Sequence, residues 1–331
     1  MDESLIDLLA CPACQGGLRW RIRTREGEQI LTADAVCTAC GTSFPIREGI
    51  AVFLASESPQ NDLWKTAESG LTRYLRANPE IEQRLLSTPL EELGPADGFY
   101  RAWTLEAKGD FAAAEEAERY STRHLYTPDY VECWQRQVDF LIDRLHSTKG
   151  PIVDLASGRC ALVNAMLQRL DHAIVATDFS LTVMRRNKDW LEAKGHTSRV
   201  SLIVLDARKM PFHSRTVPTL TTNLGLANIR APGQAVREIR RILKGHFFAI
   251  SHFYPPGDGN ELAIAESGLA ETLYEEQTLH IMTKSGLRVN LHNQCESLAL
   301  PTPVGEIIEG AIIDRLPQVQ TRLRWSVLEA A

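Results

Sequence analysis

The stretch Pro151-Ile-Val-Asp-Leu-Ala-Ser-Gly-Arg-Cys160 runs from a short apolar strand into a loop of small residues, and an apolar helix follows over residues 161–170. The pattern then recurs. Ala173-Ile-Val-Ala-Thr-Asp178 reads as a second strand ending in an acid, Ser180 can cap a helix over 181–194, and Ser201-Leu-Ile-Val-Leu-Asp206 reads as a third strand ending in an acid. Residues 219–224 follow as a fourth strand, with Pro218 tolerated because it starts the strand, and 247–252 as a fifth. Helices fall over 232–243 and 271–285, and the last two strands over 287–295 and 322–328. Strands that alternate with helices need crossover connections. The expected fold class over residues 149–331 is therefore α/β, a doubly wound, mostly parallel sheet of seven strands with ligand sites at the strand C-termini.

Upstream the rhythm changes. Cys11-Pro-Ala-Cys14 and Cys37-Thr-Ala-Cys40 form two C-x-x-C knuckles separated by 22 residues. Four thiolates at that spacing can sit at the corners of a tetrahedron, which suits Zn2+, and four protein ligands leave no open position for water. The site is expected to be structural, with Cys11, Cys14, Cys37 and Cys40 as its ligands. A redox dithiol would open a helix in a βαβ unit, and none is found here. Between the knuckles, Leu18, Trp20 and Ile22 alternate with Arg19, Arg21 and Arg23, and Glu26-Gly27-Glu28 turns the hairpin. Residues 1–55 thus read as a zinc ribbon, and Ser56-Glu-Ser-Pro-Gln-Asn61 as a linker.

No strand is evident from there to Gly150. Residues 56–148 read as a helical linker or cap, with helices over 80–86, 97–106, 110–124 and 129–145. The last has Thr127 as cap, Pro128 at its first position and Asp129 at the positive end of its dipole. Trp64, Tyr74, Phe99, Tyr100, Trp103, Phe111, Tyr120, Tyr126, Tyr130 and Trp134 crowd this region. They either wall a pocket or pack the ribbon and sheet.

Composition bounds the function classes. Of 331 residues, 44% are apolar and 24% charged, as in ordinary soluble domains, and no run approaches the ~18 apolar residues of a membrane helix. A net charge of −6 argues against a surface that coats nucleic acid. An odd count of seven cysteines and an acidic first segment without a basic stretch point to a reducing, cytoplasmic setting.

Two resemblances follow. Ile6-Asp-Leu-Leu-Ala-Cys-Pro-Ala-Cys14 and Cys40-Gly-Thr-Ser-Phe-Pro-Ile-Arg-Glu-Gly-Ile-Ala-Val-Phe-Leu54 resemble the small zinc-binding proteins that activate tRNA, rRNA and release-factor methyltransferases. In that family the domain is a separate subunit; here it would be fused in cis. The order of signals over residues 149–331 resembles the class I, Rossmann-like S-adenosylmethionine methyltransferases. That resemblance implies that Asp154, Ala156, Ser157 and Gly158 wrap the methionine end of the cofactor. Asp178, with Phe179 beside it, would hold the ribose hydroxyls, and Asp206, with Ala207, the adenine amino group; Asn223 after the fourth strand would complete the site. Carboxylates accept hydroxyl and amine donors well. A generic dinucleotide fold would want G-x-G-x-x-G after the first strand, and that motif is absent. The family's own D-x-G-x-G-x-G is also worn: Ala156 and Cys160 stand where glycines are usual. Alanine costs little there at negative φ, and cysteine is the larger change.

Thr222-Asn-Leu-Gly-Leu-Ala-Asn-Ile229 resembles the quinone-biosynthesis C-methyltransferases and their small-molecule relatives more than the amino-methyltransferases. The expected substrate is a small-molecule methyl acceptor. His252 is the base candidate at the end of the fifth strand, with Tyr254 beside it; the alternative is a histidine that only caps the strand. Two other readings stay open: an RNA or protein methyltransferase recruited through the arginine face of the hairpin, and a relative that binds the cofactor without methylating.

Overall fold

The computed structural model describes residues 1–55 and 62–331, without the side chains at positions 63, 64 and 69. The linker expected over 56–61 and the side chain of Trp64 lie outside the described residues. The chain opens with a short 3-10 turn, Glu3–Leu8, and four strands, β1 (Leu18–Glu26), β2 (Gln29–Cys37), β3 (Ser43–Arg47) and β4 (Ile50–Phe53). Five helices follow: α1 (Leu63–Ala77), α2 (Pro79–Ser87), α3 (Pro95–Ala107), α4 (Phe111–Leu125) and α5 (Pro128–Leu145). The alternating part comprises β5 (Ile152–Asp154), α6 (Ala161–Arg169), β6 (Ile174–Asp178), α7 (Leu181–Lys194), β7 (Val200–Leu205), β8 (Val217–Asn223), α8 (Pro232–Ile242) and β9 (Leu243–Phe253). It closes with α9 (Glu261–Ser267), α10 (Ala270–Leu273), α11 (Glu275–Lys284), β10 (Val289–Ala299) and β11 (Thr321–Ala330).

The local reasons are those of capping and period. Thr127 accepts the N–H of Tyr130 at the start of α5, and Ser180 that of Val183 at the start of α7. Asp62 caps α1 in the same way through Lys65, a helix absent from the expectations above. The single helix expected over 271–285 is broken into α10 and α11. Pro218 stands where the pairing of β8 with β9 skips a residue, so its missing N–H takes no ladder bond away.

The sheet corrects one expectation. It has eleven strands, not seven, in the order β1-β2-β3-β4-β7-β6-β5-β8-β9-β11-β10, and it is mixed. Strands β5 to β9 run parallel, whereas β11 and β10 return antiparallel. The four extra strands are those of the ribbon. β4 pairs in parallel with β7, Ile50 against Leu202 through Phe53 against Leu205. The N-terminal turn makes a second attachment: Ala10 N donates to Pro211 O and His213 N to Leu8 O.

The two parts therefore share one core. Leu5, Leu9, Phe44, Ile46 and Phe53 pack in a single cluster with Leu205, Met210 and Phe212. Phe44 and Phe53 meet at 5.2 Å and Trp20 reaches Phe53 edge-on at 6.3 Å. On the opposite face, α5, α6 and α7 bury Leu141, Val163 and Met184 against Ile152 and Val204. No described helix is long and apolar enough to cross a membrane.

The shared core makes ribbon and sheet one cooperative unit. Phe53 is fully buried, and Phe53→Ala is expected to cost about 3–5 kcal/mol. Removal of residues 1–55 is expected to cause aggregation or a lowered melting temperature; a soluble truncated protein that melts where the full chain does would contradict this.

Candidate functional site

The C-terminal ends of β5, β6 and β7 open onto one cleft of about 730 Å3, within the usual range for small-ligand sites. Leu155, Ala156, Gly158, Asp178, Phe179, Asp206, Ala207 and Arg208 form its floor. Its walls come from α1 (Ala67, Gly70, Leu71, Tyr74), from α3 (Phe99, Tyr100, Trp103) and from the loop after β10 (Ile308, Ala311, Ile312, Ile313, Asp314).

Asp178 is the best-placed of the expected binding residues. It is 7% exposed, and each carboxylate oxygen already accepts one backbone N–H, Oδ1 from Ser180 at 3.0 Å and Oδ2 from Gly158 at 3.0 Å. A carboxylate has about four lone-pair positions, so one remains on each oxygen. That is the arrangement a vicinal diol requires. Burial pushes the carboxyl of Asp178 up, and its backbone hydrogen bonds resist.

Asp206 is more heavily engaged. Its Oδ1 takes the backbone N–H and Nε of Arg208 at 2.9 and 2.8 Å, and Oδ2 takes Nη2 at 2.7 Å. Against the push of burial, these contacts hold its carboxyl below the usual range. One position on Oδ2 is left for an exocyclic amine.

Five expected residues do not line the cleft. Asp154 lies beneath the loop, where Thr221 Oγ1 donates to it at 2.7 Å and burial raises its carboxyl to about 6. Ser157 Oγ donates to Asp154 O, so it ties the loop to β5. Asn223 accepts the indole N–H of Trp134. His252 and Tyr254 sit in an aromatic cluster with Tyr130 and Trp325, and Tyr126 stacks on Tyr130 at 4.7 Å. His252 Nδ1 is shut from solvent without a partner among the described residues, and burial lowers its pKa to about 4.

The loop itself corrects a second expectation. Ala156 has φ +53° and Cys160 φ +66°, so both occupy the left-handed conformation that glycine would favour. Each costs roughly 1–2 kcal/mol relative to glycine's freedom. Across the loop, Gly225 compensates for Ala156: a Cβ there would lie 2.9 Å from the Ala156 Cβ and 2.3 Å from Thr222 Oγ1. A buried ion network holds the strained turn. Arg159 Nη2 binds Glu106 Oε1 of α3 at 2.7 Å, Arg186 of α7 binds the same oxygen, and Arg186 Nη1 donates to Arg159 O. Asn187 Nδ2 donates to Gly158 O at 2.8 Å.

The wall loop is pinned in turn. The buried carboxylate of Asp97 accepts the N–H groups of Glu306, Ile307 and Ile308, and Tyr100 Oη donates to Ile312 O. This brings Asp314 to the cleft, where Tyr126 Oη donates to its Oδ2 at 2.8 Å. Neither Asp314 nor the α1 wall was expected. Asp62 ahead of Leu63 is a helix-start signal that could have revealed α1, whereas the loop carries no periodic pattern.

At the far end of the sheet the four cysteine sulfurs lie within 4.8 Å of one another. Cys11 and Cys40 are 3.7 Å apart, and Cys14 and Cys37 3.5 Å. A Zn–S bond of ~2.3 Å gives a tetrahedral edge of about 3.8 Å, so the cluster fits Zn2+. The N–H groups of Ala39 and Cys40 point at Cys37 Sγ. Four cysteine ligands would fill a tetrahedral coordination shell and leave no open position on the metal.

Comparison with known proteins agrees with this division. Residues 152–246 match the methyltransferase-domain family and residues 2–49 the Trm112p-like protein family. The chain joins a Trm112p-like domain to a methyltransferase domain. The Trm112p-like domain is 40% identical over 63 residues to a UPF0434 protein of Stutzerimonas stutzeri, covering 19% of this chain and 90% of that one. The chain is 32% identical over 132 residues to a demethylmenaquinone methyltransferase of Streptomyces avermitilis, covering 39% of this chain and 52% of the relative. The chain thus spans about half the length of that methyltransferase relative. Among solved structures, the YcgJ protein of Bacillus subtilis superposes with a TM-score of 0.48 at 16% identity, over 59% of this chain and 97% of its own.

Two outcomes follow from the geometry. Freshly purified protein is expected to carry one zinc per chain, lost in Cys37→Ser and on chelation together with the ribbon's structure; metal analysis that finds under half an equivalent would count against it. Glu106→Ala leaves Arg186 without its carboxylate and Arg159 with only the longer contact to Glu118 at 3.3 Å, and denaturant titration is expected to show a loss of about 3 kcal/mol.

Proposed function

We propose that the chain is an S-adenosylmethionine-dependent methyltransferase acting on a small molecule, with the zinc ribbon as a structural extension of its sheet. The observation that carries this reading is Asp178, a buried carboxylate at the end of β6 that lines the cleft and is fixed there by the N–H groups of Gly158 and Ser180. Asp178 would hold the ribose diol, Oδ2 of Asp206 and Ala207 the adenine edge, and the turn at Ala156–Gly158 the methionine end. When bound, S-adenosylmethionine supplies an electrophilic methyl on sulfur, which an acceptor lone pair approaches in line. The protein's own contribution is then orientation and exclusion of water.

The acceptor side is aromatic and walled by α1, α3 and the loop after β10, which suits a small molecule. The relative named a demethylmenaquinone methyltransferase supports the same class. Asp314, in place of His252, supplies a carboxylate to that side of the cleft; His252 and Tyr254 serve as packing behind Tyr126 and Tyr130. RNA recruitment gains little support from the arginine face of the hairpin. Arg23 is paired with Asp34 and Arg25 with Glu3, which leaves part of the stripe neutralised.

Asp178→Ala is expected to weaken S-adenosylmethionine binding by roughly ten- to a hundredfold, about 1.5–3 kcal/mol. Asp206→Ala is expected to weaken it less, because Arg208 already occupies most of that carboxylate. Calorimetry on both variants, with the fold checked by circular dichroism, decides the matter. Unchanged affinity in Asp178→Ala would overturn the assignment of the ribose site.

A further inference from the structure

The cleft continues past the floor assigned to the cofactor. Its outer half is walled by Tyr74, Phe99, Tyr100, Trp103, Tyr126 and Asp314. The rings of Phe99, Tyr100 and Trp103 touch one another with centroids 5.5–6.2 Å apart. Asp314 brings a carboxylate into this apolar surround, and Tyr126 donates the hydrogen bond that it accepts there. Burial pushes the Asp314 carboxyl up, with only that hydrogen bond working against it. Two arginines also line the cleft, and neither pairs with Asp314 among the described residues. Arg208 is clamped to Asp206, and Arg230 is exposed beyond Asn228 and Ile229.

A carboxylate drawn out of water among aromatic rings is costly unless a positive group meets it. Ring faces attract cations as well, and more so where water is excluded. An anionic acceptor would meet a like charge; a neutral alcohol would find an acceptor for its hydroxyl but would leave the charge uncompensated.

We propose that this half of the cleft takes its ligand by a positively charged nitrogen, an amine or alkylammonium group set between the Asp314 carboxylate and the rings of Tyr100, Trp103 and Tyr126. The proposal names the substrate class of the methyltransferase reading and rests on it only in treating this ligand as the methyl acceptor. The recognition itself is independent of what occupies the floor.

The test is calorimetry on the full-length, zinc-loaded protein with saturating S-adenosylhomocysteine and three probes of one shape: 2-phenylethylamine, 2-phenylethanol and 3-phenylpropionate. The amine is expected to bind about tenfold more tightly than the alcohol, and the acid more weakly than both. Asp314→Asn is expected to abolish the preference for the amine and to leave S-adenosylhomocysteine affinity unchanged. Asp314→Glu is expected to restore the preference. Tyr126→Phe keeps the charge, and so keeps the preference even if Asp314→Asn fails to fold. The proposal is overturned if the alcohol or the acid binds as tightly as the amine, if the preference survives in Asp314→Asn, or if no probe binds at about 10 mM. Should S-adenosylhomocysteine itself not bind, the cofactor reading fails, and the same titrations without it still decide the amine preference.

Discussion

Four residues of backbone pairing, Ile50–Phe53 against Leu202–Leu205, hold the rest of the molecule in relation. A ribbon of this size has too little interior to bury Phe44, Ile46 and Phe53 by itself. The methyltransferase sheet, for its part, would end at β7 with an open edge and with Leu205 and Phe212 uncovered on one face. Edge strands of that kind invite association with other chains. Joining the two through a parallel ladder removes both problems at once. It also fixes the end of β7, from which Asp206 and Ala207 enter the cleft. Zinc held by the four cysteines would act at a distance on this arrangement. It would close the knuckles that anchor β1 and β2, and these carry β3 and β4 to the junction.

The second constraint is electrostatic and lies on the other side of the cleft. Glu106, Arg159 and Arg186 come from α3, the loop after β5 and α7, and all three are largely buried. Ion pairs of this kind seldom add much net stability, because desolvation offsets the attraction. Their value is in specifying geometry. Here the network keeps Arg159 against the helical segment while its neighbours Gly158 and Cys160 hold left-handed conformations. The loop is thereby held in the shape that points Gly158 N at Asp178.

Much of this was legible in the sequence, and the pattern of success is physical. The zinc ligands follow from spacing alone, since four thiolates in two knuckles can meet in few ways. The binding roles of Asp178 and Asp206 come from the family resemblance alone; what the strand pattern adds is that both end short apolar strands, and the parallel sheet brings those ends to one cleft. The strand count failed because pairing partners are not encoded locally. Ile50-Ala-Val-Phe53 is a plain apolar run, and nothing in it names a strand 150 residues away as its neighbour. The expectation for Ala156 failed for a related reason. The local cost of positive φ at Ala156 remains, but Gly225 across the fold leaves space for its methyl, and that contact is visible only in three dimensions. His252 sits at the end of the correct strand, but Tyr126 and Tyr130 fill the space before it. Asp314 emerges from an irregular loop that Asp97 pins through three backbone N–H groups, a contact spanning more than 200 residues.

The parallel ladder between β4 and β7 has a consequence for the growing chain. Synthesis runs from the ribbon toward the sheet at about 5–20 residues per second, so β4 emerges on the order of 10 s before the strand it must pair with. During that interval the knuckles can already capture metal, while Phe44, Ile46 and Phe53 have no partner face. The ribbon is then a folded nucleus with an adhesive side, waiting on a ribosome still at work. A synonymous codon change that slows translation between residues 55 and 200 would lengthen the exposure without altering a single atom of the finished protein.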